Sequence, residues 1–178
     1  LGDVYKRQIP YRSILNLFIH GEIDILFGFK DDIPMRDGVI YKELTRIPIC
    51  CAVPSNHPYS RKKELSEKEL LSENIIICNS YEIPSQVANI QNRLENKFLP
   101  DSTYYCENLQ VMLSLIRAGY GCAVLPDGAS VDSQITYVPL SENTLISYGI
   151  FYKKTLKTPL IKNFISMVLQ KDRSTDKP

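Results

Sequence analysis

Histidine is scarce in this chain, and the two present, His20 and His57, lie in separate turns. Neither has a cysteine, aspartate or second histidine at ligand spacing, which argues against a metal site. Cysteine is present five times, an odd number, and nowhere as C-x-x-C. Cys50, Cys51, Cys78 and Cys122 sit inside apolar strand-like runs and Cys106 ends one, so they read as buried free thiols in a reducing compartment, not as disulfides or zinc ligands. Apolar neighbours raise a thiol's pKa and make it inert; Cys106, at a helix start, is the exception. A charge excess is missing too. The net charge is +1, with Arg61-Lys62-Lys63 the only compact basic run, which excludes a broad nucleic-acid footprint. No apolar stretch is long enough to span a bilayer and no signal-peptide pattern opens the chain, so the expectation is a soluble, cytoplasmic protein. Repeats and low-complexity segments are absent.

What is present is an ordinary globular composition, 44% hydrophobic and 23% charged over 178 residues, enough for one domain or two small lobes. The most informative stretch runs from Thr103 to Pro126. Thr103 to Cys106 suits a strand. Leu109, Met112, Leu113 and Ile116 recur at helical spacing. Gly119 falls where a helix C-cap needs a left-handed residue and Gly121 allows a sharp turn. Cys122 to Leu125, stopped by Pro126, reads as a buried parallel strand. Such a unit leaves its helix N-terminus at the carboxyl end of the sheet, where open α/β sheets bind small ligands.

The remaining elements alternate in the same way. A short helix around Ile14 to Phe18 ends at Gly21, and Ile23–Phe27 follows as a strand. Val39–Leu44 and Ile47–Val53 are expected as two further strands. Ser66 and Glu69 match a capping box that opens a short helix through Leu70 and Leu71. Asn74–Cys78 is a strand, and Pro84 starts a helix whose apolar face is Val87, Ile90, Leu94 and Phe98. Ile135–Pro139 and Leu145–Tyr152 are strands. The last helix, after Thr158-Pro159, turns Leu160, Ile161, Phe164, Ile165, Val168 and Leu169 inward. Strands alternating with helices argue an α/β fold, most simply two lobes. Residues 9–53 and 140–172 form the first lobe and 54–139 the second, with crossovers near 52–58 and 137–141. Residues 1–8 (LGDVYKRQ) have no clean period and read as a non-native-looking or disordered start, and residues 173–178 as a charged tail.

Three segments, His20-Gly-Glu-Ile-Asp-Ile25, Val53-Pro-Ser-Asn-His-Pro58 and Ile116-Arg-Ala-Gly-Tyr-Gly-Cys-Ala-Val-Leu-Pro126, come in an order and spacing that resembles the C-terminal effector-binding domain of LysR-type transcriptional regulators. The resemblance covers about residues 9–170. It implies a two-lobe, type 2 periplasmic-binding-protein-like α/β fold, here incomplete at the N-terminus, without the first strand and helix of the domain. It implies a small effector, often an organic anion, held between the lobes, and no cofactor. Promoter DNA would be bound only through a helix-turn-helix missing from this chain, in a full-length homodimer or tetramer.

A site in such a fold gathers at strand ends and helix starts. In the first lobe these are Tyr11, Arg12 and Ser13 with Phe29; in the second, Ser80, Tyr81, Cys106, Glu107 and Asn108. Free N–H groups and the helix dipole there favour an anionic ligand, although Asn108 and Ser80 equally suit plain helix caps. Glu107 would repel an anion and is expected to pair with a base or to stand outside the site. Gly119-x-Gly121 follows a helix and precedes a strand, the reverse of a dinucleotide fingerprint. Glu22 and Asp24 read as solvated strand-edge positions, so no catalytic pair is expected and the chain reads as a non-enzyme. The alternative is a transporter's solute-binding protein with the same fold; a dehydratase-like enzyme would need an acid and base in the cleft.

Overall fold

The computed structural model describes residues 9–97, 100–142, 144–155 and 158–175. The expectations for residues 1–8 and for Phe98 lie outside these. Helix α1 (Tyr11–His20) buries Leu15 and Phe18 and closes on Gly21, whose φ of 81° is the left-handed cap that the sequence places there. Strand β1 (Ile25–Phe29) follows. The next strand departs from expectation. The two segments 39–44 and 47–53 are one continuous strand, β2 (Val39–Pro54). A bulge between Glu43 and Thr45 absorbs the irregular polar stretch that separates them in sequence.

Strand β2 ties the molecule together by changing partners along its length. From Val39 to Pro48 it pairs antiparallel with β7 (Leu145–Lys153), which in turn pairs antiparallel with β1. From Ile49 onward it lies between β5 (Ala123–Pro126) and β6 (Ile135–Pro139), antiparallel to both. The change falls between Pro48 and Ile49, ahead of the 52–58 turn. Strands β3 (Ile75–Cys78) and β4 (Thr103–Cys106) form a parallel pair. They join the second half through a single parallel bridge, Ile75 to Cys122. Strand β5 is therefore parallel to β3, as its place in a β-α-β unit demands, but its full ladder is the antiparallel one with β2.

The gap between β3 and β5 is filled by a side chain. Helix α3 (Ser85–Glu95) buries Val87, Ile90 and Leu94 on the expected face, and Gln91 among them. The Gln91 Oε1 accepts the Cys78 N–H and its Nε2 donates to the Val124 carbonyl, both at 2.9 Å. One buried amide thus replaces the ladder that the two strands do not make. Between β2 and β3, helix α2 (Glu67–Leu70) carries the full Ser66/Glu69 capping box.

Helix α4 (Leu109–Arg117) buries Met112, Leu113 and Ile116. Helix α5 (Pro159–Thr175) runs past the point where a tail is expected. Its Ile165 is buried, whereas Leu160 and Phe164, expected inward, are 75% and 44% exposed. Phe164 meets the Phe27 ring of β1, the outermost strand of its sheet, edge-on with centroids 6.4 Å apart. Two cores result. A large one surrounds β2–β6 with α3 and α4, and a smaller one is built on Leu15, Phe18, Leu26, Ile33 and Phe151. Among the described residues no helix is long and apolar enough to cross a membrane.

Candidate functional site

Between the two halves lies an open cavity of about 350 Å³. Tyr11 at the start of α1, Phe29 at the end of β1 and Tyr148 on β7 supply an aromatic side. Ile83, Leu109 and Leu125 supply an aliphatic one. Phe29 and Tyr148 pack edge-to-face with centroids 5.1 Å apart, and burial raises the Tyr148 phenol above its usual range. Among the described residues, the only charged side chains on the wall are Glu82 and Asp127. Asp127 is exposed and Glu82 half-buried.

Contacts between the halves close one side of this cavity. Helices α1 and α3 each follow a proline, Pro10 and Pro84, and neither has a side-chain cap from its own N-terminal flank. Their free N–H groups are met by carboxylates from across the cleft. The Tyr11 N–H reaches Glu82 Oε2 at 3.5 Å, and the Ser85 N–H donates to Asp32 Oδ1 at 2.7 Å. The Tyr11 hydroxyl also donates to Asp32. Burial, then this bond, push its pKa far above the usual value. Beside them, the Gln86 amide donates to Asp31. The α1 start, expected to receive an anionic ligand, and the α3 start are thus met by the chain's own acids.

Of the nine residues singled out from sequence, Tyr11 and Phe29 line the cavity. Arg12 lies over the Tyr81 ring, 5.6 Å from its centroid, and its buried Nε has no hydrogen-bond partner among the described residues. Ser13 and Glu107 are exposed, and Ser80 sits with Tyr81 in the turn between β3 and α3. Asn108 caps α4, its Oδ1 accepting the Val111 N–H at 3.0 Å. Asn108→Ala is expected to destabilise the fold by about 1 kcal/mol in chemical denaturation, the usual cost of a lost N-cap.

All five cysteines are free and buried. Burial pushes the Cys50 thiol up to about 12. Cys106 runs the other way: the Cys78 thiol beside it and the Asn108 N–H hold its pKa below the ordinary value. Peptide mapping after brief iodoacetamide treatment at pH 8 is expected to find Cys106 modified first and Cys50 and Cys51 untouched.

Sequence reasoning missed Glu82, Asp127, Tyr148 and Asp32. Asp127 directly follows the strand end at Pro126, a position of the kind used for the other candidates. Tyr148 lies inside a strand and carries no local signal.

The family model described as LysR substrate binding domain matches residues 7–173. The HTH-type transcriptional regulator AlsR of Bacillus subtilis (strain 168) is 28% identical over 164 residues, which are 89% of this chain and 53% of that protein. The chain therefore spans about half the length of this curated relative. Among solved structures, the effector binding domain of QuiR in complex with shikimate aligns with a TM-score of 0.72 at 16% identity, over 94% of this chain and 80% of that one. The BenM effector binding domain with its effector benzoate aligns with a TM-score of 0.68 at 19% identity, over 96% and 79%. The family match over nearly the whole chain and the shared two-lobe α/β architecture lead to one conclusion: this chain belongs to the LysR substrate binding domain family, the effector-binding part of LysR-type regulators.

Proposed function

We propose that this chain senses a small-molecule effector in the cavity between its halves and works as the regulatory part of a transcriptional regulator. A ligand touching both halves binds their closed arrangement best and shifts the population toward it. The movement turns about the Pro48–Ile49 junction and passes to a DNA-binding domain elsewhere in a longer, homo-oligomeric, cytoplasmic protein that grips promoter DNA. Residues 9–53 with 140–172 and residues 54–139 serve as the two lobes in this reading. It assigns the chain no catalytic role, and the family match supports it over a transporter's solute-binding protein.

The observation that carries the reading is that one cavity draws Tyr11, Phe29 and Tyr148 from one side of β2's partner change and Glu82, Ile83 and Leu125 from the other. A thermal-shift screen of small metabolites tests it. A stabilising compound is expected to lose at least tenfold in affinity in Tyr148→Ala and Phe29→Ala. It should be unaffected by Val131→Ser, a fully exposed position away from the cavity wall. Binding that ignores both cavity variants would place the effector elsewhere and overturn the reading.

A further inference from the structure

From the chemistry of the cavity wall we infer that the effector of this chain is a small organic amine with an apolar body, held as its ammonium between aromatic rings and the carboxylates of Glu82 and Asp127. The inference rests on the cavity being the effector site and names the ligand class that the cavity suits.

Three observations carry it. First, the helix starts that an α/β cleft offers an anion are already taken. The α1 start faces Glu82 and the α3 start faces Asp32, while the α4 start is capped by Asn108. An entering carboxylate would have to displace an acid already in place and would add a like charge beside it. Second, the charged groups on the wall are both acidic, and no ion pair among the described residues involves Glu82, Asp127 or Asp32. The nearby base, Arg12, lies over Tyr81 and is not part of the wall. A ligand cation supplies the charge that the cleft lacks. Third, Tyr11, Phe29 and Tyr148 put three aromatic rings on the same cavity, two of them in mutual contact. Ring faces attract an ammonium, and more strongly where water is excluded. The aliphatic side formed by Ile83, Leu109 and Leu125 takes the apolar body, and a cavity of about 350 Å³ fits a ligand at the small end of the usual range.

Isothermal titration of the purified chain, its fold verified by circular dichroism, tests this with matched probes. These are benzylamine, cyclohexylamine and benzyltrimethylammonium against benzoate and benzyl alcohol. At least one amine is expected to bind ten times more tightly than benzoate. Asp127→Asn, an exposed position whose change spares the packing, should lower amine affinity at least tenfold, and Tyr148→Ala should do the same. Benzoate binding more tightly than every amine, with loss in Tyr148→Ala, overturns the amine assignment and leaves the cavity as the effector site. Amine binding that ignores both variants overturns the assignment and the cavity reading together. A folded chain that binds none of the three amines overturns the assignment.

Discussion

Gly149→Ala is expected to lose about 3 kcal/mol or more of stability, whereas Gly28→Ala, directly across the ladder, should change it by less than about 1 kcal/mol. The two glycines face each other between β7 and β1, yet their surroundings differ. A Cβ on Gly149 would lie 2.1 Å from the Lys42 carbonyl oxygen and 2.8 Å from the Tyr41 ring. The first of these is backbone, and no rotamer moves a Cβ. Strand β2 would have to leave β7 beside the Glu43/Thr45 bulge, in the longest ladder among the described residues. The cost is about 3 kcal/mol or more, at the severe end for one substitution and a large part of the stability of an ordinary domain. A Cβ on Gly28 meets only Leu26 and Phe151 at 3.9 Å, ordinary contact. Urea titrations of the pair check the prediction. Equal stabilities would show that β2 has freedom to move that its packing denies.

Gln91→Met should cost about 2–4 kcal/mol, although it keeps the shape and apolar bulk of the side chain. Gln91 is 1% exposed. Removing its amide strands the Cys78 N–H and the Val124 carbonyl between two strands that cannot pair with each other at that level. Each orphaned buried group costs roughly 1–3 kcal/mol. Gln91→Glu should be worse, since it keeps one acceptor, loses the donor and buries a charge. Hydrogen exchange at the Cys78 amide offers a second measure and should accelerate with the fall in stability. An unchanged rate in a destabilised Gln91→Met protein would mean that the loss arises elsewhere.

Much of this architecture is legible in the sequence because it is local. The α4 stripe, the left-handed Gly119 and the Ser66/Glu69 box each depend on residues within one turn of each other, and each appears where its pattern puts it. The merger of two expected strands into β2 is not local. Lys42, Glu43 and Arg46 read as a break, and only pairing with β7 over a hundred residues away turns them into strand. The clasp of Asp32 and Glu82 is hidden for the same reason, because each caps a helix that begins 53 or 71 positions away. Gln91 did leave a trace: it is the one polar residue on the buried stripe of Val87, Ile90 and Leu94. A polar side chain in that setting asks for partners on both sides.

Three prolines meet where β2 changes sheets. Pro48 is in the strand itself, Pro126 lies opposite Ile49, and Pro139 lies opposite Cys50. Proline contributes no N–H, so at Pro48 the backbone lacks one rung toward Asp127, whose own N–H still donates to the Pro48 carbonyl at 2.8 Å. The strand on either side is held by its ladders with β7, β5 and β6, and in the proposed function this junction is the point about which the two halves turn. In that reading a ligand in the cleft would turn one half against the other, and β2, a single strand of sixteen residues, would carry the rotation to its far end.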